Sequence, residues 1–137
     1  AMHGGIAGHA GLFGNANDLA KLGQMLLQRG TYGGQSYFKP PTIDFFTQKQ
    51  YAKSRRGLGW DKPMPGDKSN PTSEMASPLT FGHTGFTGTC IWVDPEYELV
   101  YLFLSNRVHP DMNNTRLLTA NIRPRIQDII YQSIQKQ

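Results

Sequence analysis

A histidine, a threonine and a glycine stand side by side at positions 83–85, inside the run TFGHTGFTGTCIWVD that spans residues 80–94. The run reads as a β-strand that ends in a glycine-rich corner at His83, Thr84 and Gly85 and feeds a second strand. Such a corner leaves polar side chains and backbone N–H groups free at a sheet edge, where anions and developing oxyanions are held. It is the stretch on which chemistry is expected.

Other reactive pairings carry less. Ser36 with Lys39, and Ser133 with Lys136, fit the SxxK spacing that sets a serine and a lysine one helical turn apart. With seven serines and seven lysines in the chain, roughly 0.4 such matches arise by chance, so two are no signal. Lys39 also precedes Pro40, which disfavours the helical backbone the pairing needs. Tyr131-Gln132-Ser133 fits a YxS pattern by placement alone. His3, His9, His83 and His109 show no HxH, HExxH or CxxC spacing, so no metal is expected. Cys90 is the single cysteine, which excludes an intrachain disulfide, and its place in an alternating strand marks a buried structural thiol.

The elements that must position the corner follow from patterning. Gly4, Gly5, Gly8, Gly11 and Gly14 interrupt residues 4–14 too often for a regular helix or strand, and their spacing is not that of a dinucleotide loop, so no cofactor is expected. Asn15 offers an N-cap, and Leu19, Leu22, Met25 and Leu26 then mark the core face of a helix over 16–29. Arg29 suits the negative end of that helix and Gly30 its left-handed stop. Residues 31–34 read as a turn, and Pro40 and Pro41 open a short helix. A short strand is expected at 58–60 and a long surface loop, wall or lid over 61–78. Three antiparallel strands, 80–85, 89–94 and 98–104, come next. Ile126, Ile129, Ile130 and Ile134 mark one face of a closing helix.

Composition limits the alternatives. The 137 residues are one domain's worth, and 38% apolar with 18% charged residues fits a folded, loop-rich chain. A net charge of +4 would permit an acidic partner, but Lys53, Arg55 and Arg56 are the longest basic cluster, and no basic–aromatic alternation suggests nucleic acid. No apolar run approaches a membrane span. Ala1 and Met2 read as a cloning remnant and a start codon, and the abrupt beginning suggests a piece of something longer.

Three blocks, GHAGLFGNANDLAKLGQMLL, FGHTGFTGTCIWVDP and LFLSNRVHP, occur in this order. Together they resemble the penicillin-recognising serine hydrolases: class C-like β-lactamases, penicillin-binding proteins and related esterases. The resemblance implies an α+β fold, an antiparallel sheet of at least three strands flanked by N- and C-terminal helices. Residues 1–137 would form a single partial domain, the C-terminal part of the β-lactamase/transpeptidase-like fold. His83-Thr84-Gly85 matches the family's Lys/His-Thr/Ser-Gly triplet, and Phe86 takes the position whose backbone N–H serves the oxyanion hole. A cation or donor at the first position polarises the site, a hydroxyl at the second binds a carboxylate or relays a proton, and glycine admits the substrate. The same resemblance sets His9 and Ala10 along the site wall, with Thr87, Asn106, Arg107 and His109 towards the substrate.

The family's nucleophilic SxxK and its YxN or YxS motif lie upstream of the glycine loop, and this chain begins after both. The expectation is therefore one wall of an acyl-serine hydrolase, taking a small-molecule or peptide acyl substrate in the bacterial periplasm or envelope, and inactive alone. A missing N-terminal half of the same domain is the implied partner, with a homodimer or domain swap in its absence. The alternative is a non-catalytic module that keeps the fold to bind cell-wall glycan or peptide, or a protein partner.

Overall fold

The structure, a computed structural model, describes residues 4, 5, 7, 8 and 11–134. Asn15 opens the first element as its chemistry predicts. Its Oδ1 accepts from the Asp18 N–H at 3.0 Å, and helix α1 (Ala16–Leu27) follows. The helix stops two residues short of the expected 16–29, because Arg29 and Gly30 both turn left-handed, at φ 53° and 102°. Gly30 then donates to the Met25 carbonyl at 2.8 Å, which closes the helix end. Arg29 turns away to pair with Asp44. The core face is also rotated from the one expected. Met25 and Leu26 are buried, but Leu22 is 44% exposed, and Gly23 lies against the sheet instead. A Cβ at Gly23 would stand 2.6 Å from Val100 Cγ1, so the missing side chain is what lets α1 approach.

The expected turn at 31–34 is the loop of a small hairpin. Gly33 and Gly34, at φ 59° and 79°, join β1 (Thr31–Tyr32) to β2 (Gln35–Ser36). Helix α2 (Pro40–Thr47) begins on its prolines as predicted. Residues 58–60 do not form the expected strand. Gly59 sits at φ 76°, the Gly57 N–H bonds the Trp60 carbonyl at 2.8 Å, and the segment becomes a tight turn that brings Arg56 opposite Asp61.

The three predicted strands are present as β3 (Phe81–Thr84), β4 (Cys90–Asp94) and β5 (Leu99–Phe103). They pair antiparallel in that order, with Gly82 opposite Trp92, Thr84 opposite Cys90, and Trp92 opposite Tyr101. Alternation divides their side chains between two faces. Phe81, Val93, Ile91 and Val100 pack with Met25, Leu26 and Ile43 on the side of α1 and α2. Cys90, Trp92 and Tyr101 pack with Ile126 and Ile130 of the closing helix on the other.

After a four-residue α3 (Arg116–Thr119), helix α4 (Ile122–Ile134) covers that second face. Of the four isoleucines expected on its core face, Ile126 and Ile130 pack on the sheet, while Ile129 is 62% exposed and the fully buried residues are Gln127 and Tyr131. Polar partners explain the difference. Gln127 Oε1 accepts from the Ser73 N–H at 3.0 Å, and the Tyr131 hydroxyl donates to Asp94 at 2.5 Å. Asp94 also accepts from the Ser77 hydroxyl at 2.6 Å. The 61–78 segment is irregular as expected, but its second half is pinned to β4 and α4, with Asn70, Thr72, Ser73, Ala76 and Ser77 buried. The class is α+β, helices on both faces of an antiparallel sheet. Among the described residues no helix is long and apolar enough to cross a membrane.

Candidate active site at the end of strand β3

Strand β3 runs out at Thr84 and the chain reverses over residues 85–89. The Gly85 N–H bonds the Thr89 carbonyl at 2.8 Å, and the Gly88 N–H bonds the Gly85 carbonyl at 3.0 Å. Gly88 holds φ 101°, and a Cβ there would meet Ser105 Oγ at 2.4 Å, so both conformation and space require glycine. Two arginines brace the corner from outside the turn. Arg107 Nε donates to the Phe86 carbonyl at 2.9 Å, and its Nη1 donates to the carbonyls of Met112 and Asn114. The same guanidinium lies 4.9 Å from the centre of the Phe86 ring. From α4, Arg123 Nη1 donates to the carbonyls of Gly88 and Thr89.

What the corner leaves open is specific. Among the described residues the Phe86 N–H and the Thr84 hydroxyl make no hydrogen bond, and Gly85 and Phe86 are exposed beside them. A free N–H on a braced turn, next to a hydroxyl and an exposed glycine whose absent side chain would strike the Thr89 hydroxyl, is suited to an oxyanion or a carboxylate.

His83 is exposed at the strand edge and lies within 3.0 Å (Nε2) of Arg56 Nη1 and 2.7 Å (Nδ1) of the Thr84 carbonyl. Arg56 comes from the turn that replaced the expected strand. Its Nη1 also lies 2.6 Å from Asp61 Oδ1, and Arg55 Nε reaches the same oxygen at 3.2 Å. Asp61 is 1% exposed, and its own N–H and carbonyl pair with Gly82 at 2.7 and 3.0 Å. The turn thus covers the outer edge of β3 up to the residue before the histidine.

Of the residues singled out from sequence, His83, Thr84, Gly85, Phe86 and Thr87 form one continuous surface. Thr87 presents its carbonyl inward, to the Arg107 N–H at 2.9 Å and the Ser105 hydroxyl at 3.2 Å. Asn106 and His109 are exposed on the adjoining loop, linked through the His109 N–H and Asn106 carbonyl. His9 and Ala10 lie outside the described residues. Arg56, Asp61 and Arg123 were not singled out. The signal available for the first two was an acid five residues after an arginine across a Gly-Leu-Gly turn; for Arg123 there was none.

The serines are all occupied elsewhere. Ser36, Ser73, Ser77 and Ser105 bond to Phe38, Met75, Asp94 and Thr87, and Ser54, Ser69 and Ser133 to Arg56, Asp67 and Ile129. Ser36 lies on β2 and Lys39 caps α2, so that pair does not share a helix. Burial pushes the Cys90 thiol up to about 11, which keeps it protonated and unreactive.

Comparison with known proteins identifies the family of the chain. A family model described as beta-lactamase matches residues 1–122. Proteins of Salmonella paratyphi B and Salmonella newport named "Putative D-alanyl-D-alanine carboxypeptidase" are 37% identical over 114 residues, 83% of this chain and 26% of their own length. The chain therefore spans about a quarter of those relatives. The crystal structure of a β-lactamase from Mycobacterium bovis matches 88% of this chain and 44% of its own at a TM-score of 0.67 and 24% identity, a likeness of fold. A penicillin-binding protein homologue from Caulobacter crescentus matches 64% of this chain and 24% of its own, at a TM-score of 0.51 and 26% identity. With its sheet, its helices on both faces and most of its length matched, the chain belongs to the beta-lactamase family.

Proposed function

We propose that this chain forms the oxyanion wall of a serine hydrolase of the peptidase type, which acts through an acyl-serine intermediate. The braced corner carries the reading: the free Phe86 N–H is held beside Thr84 and Gly85 by Arg107 and Arg123. In that role the Phe86 N–H stabilises the tetrahedral oxyanion, the Thr84 hydroxyl binds a substrate carboxylate or relays a proton, and Gly85 admits the acyl group. Asn106, Arg107 and His109 extend the wall, Arg107 through the backbone it holds. The family and the similarity to proteins named as carboxypeptidases support a peptide substrate ending in a free carboxylate over a plain ester.

The seven serine hydroxyls, each bonded away from the triplet, support a nucleophile from outside residues 1–137, furnished by the rest of the same domain. The chain by itself is then inactive, and the working place of the intact enzyme is the periplasm or envelope, where such peptides occur. The test is hydrolysis of a D-alanyl-D-alanine peptide and a chromogenic β-lactam by the intact parent and by this chain. The parent should turn over at least one, and Thr84→Val should lower its rate. Turnover by the chain alone that Ser36→Ala or Ser133→Ala abolishes would overturn the proposal.

A further inference from the structure

We infer that Arg56, held by buried Asp61, is a positioning residue that fixes His83 as the neutral Nδ1–H tautomer, so that the charge beside the triplet belongs to the arginine. The inference gives the proposed oxyanion wall its electrostatics, and it rests on that reading only for its catalytic meaning.

Both ring nitrogens of His83 face partners whose roles admit one assignment. A guanidinium has donors and no acceptor, so Nε2, 3.0 Å from Arg56 Nη1, must present its lone pair. A carbonyl accepts only, so Nδ1, 2.7 Å from the Thr84 oxygen, must carry the proton. The two contacts agree. An imidazolium would point an N–H at the guanidinium, setting two cations donor to donor, and the Nε2–H tautomer would do the same while leaving Nδ1 lone pair against lone pair at Thr84.

The arginine is itself held. One Nη1 group, with two hydrogens, spans Asp61 Oδ1 at 2.6 Å and His83 Nε2 at 3.0 Å. Asp61 is in register with the histidine because its main chain pairs with Gly82, the preceding residue of β3. Its carboxylate is sealed from water and shared with Arg55, which leaves Arg56 half exposed as the outward-facing member. Carboxylate, guanidinium and imidazole thus form a chain leading to the triplet. A histidine tied in this way is neither a cation nor a free base. Its Nδ1–H steadies the Thr84 carbonyl, at the residue whose hydroxyl faces the substrate.

The experiment is nitrogen-15 NMR of the imidazoles in the full 137-residue chain, with the His83 resonances assigned through His83→Gln. The wild-type ring should show an unprotonated Nε2 and a protonated Nδ1. Arg56→Ala, which keeps only the Thr84 contact, should weaken that pattern, with Nε2 becoming partly protonated, and Arg56→Lys, which restores a donor without an acceptor, should regain it. Asp61→Asn should weaken it; should that buried variant fail to fold, the half-exposed Arg56 pair decides alone. A protonated Nε2 in the wild type, or a pattern unchanged in Arg56→Ala, overturns the inference. The spectra need no substrate, so an intact parent without hydrolase activity would sink the functional proposal and leave this result standing.

Discussion

Arg107 is committed to main chain, and that decides what its removal does. Three carbonyls, of Phe86, Met112 and Asn114, accept from it, and its plane lies near the Phe86 ring. Hydrogen bonds to a charged donor contribute more than neutral ones, and partial exposure reduces that, so Arg107→Ala should cost about 1–2 kcal/mol, read as a lower urea midpoint. Gly88→Ala meets both a left-handed backbone and the Ser105 hydroxyl, and should cost about 1–3 kcal/mol. On the proposed role of the corner, either change should lower turnover of the intact parent more than it raises KM, since each loosens the Phe86 N–H. Lys62 carries a pH signature. Burial holds its ammonium down, to about 8, while its Nζ donates to the Leu79 carbonyl. A lysine depressed on folding sheds its proton first in the native state, so its contribution to stability rises with pH from about 8 towards the unfolded lysine value. Lys62→Met should be the more stable form at pH 7 and should lack that rise. At this scale the candidate triplet was legible because its glycine marks a corner between two alternating runs and the three blocks together match one family. Arg56 was not: in sequence a guanidinium aimed at an imidazole looks the same as one aimed at water.

The elements were read well where period decides and poorly where a missing or polar side chain does. Strands β3, β4 and β5 announce themselves by alternation, and their ends fall within a residue or two of expectation. Helix α1 was placed but rotated, since a glycine scores nothing on an apolar stripe, yet Gly23 lies directly against Val100 of β5. Gly23→Leu should overpack that crossing and cost about 1–3 kcal/mol, and adding Val100→Ala should recover part of it; thermal unfolding of the single and double variants checks this. Helix α4 was read in part: Ile126 and Ile130 pack on the sheet as expected, but its most buried residues are Gln127 and Tyr131, whose partners lie far off in sequence. Burial alone would raise the Asp94 carboxyl, but donors from Ser77 and Tyr131 outweigh it and hold Asp94 below the usual carboxylate range. The stability it lends is present above the unfolded carboxylate value and is lost as pH falls through the lower native one. Tyr131→Phe should therefore cost about 1–3 kcal/mol near neutrality and shift acid unfolding to higher pH.

For the molecule as a whole, the apolar surface left outside is informative. Phe13 is 89% exposed, Leu12 and Phe86 are both 68% exposed, and among the described residues β5 has no strand on its far side. Surface of that kind invites association. The chain alone should dimerise in light scattering at high concentration, and a monomer throughout would count against it. Fold class and family were legible because three blocks recur in order, whereas the clasp between the 61–78 segment and α4 was not, since it is made of single polar contacts across long separations. That clasp also sets an order of events in time. Ser73 finds Gln127 54 positions later, and Asp94 finds Tyr131 37 positions later. On a ribosome, the sheet and α1 are complete before either partner has emerged. Until then a buried carboxylate lacks one of its donors and the loop beside it has nothing to rest on. Closure of the wall that carries the triplet is therefore a late step, and nascent chains halted before residue 127 should remain open to protease within residues 61–78.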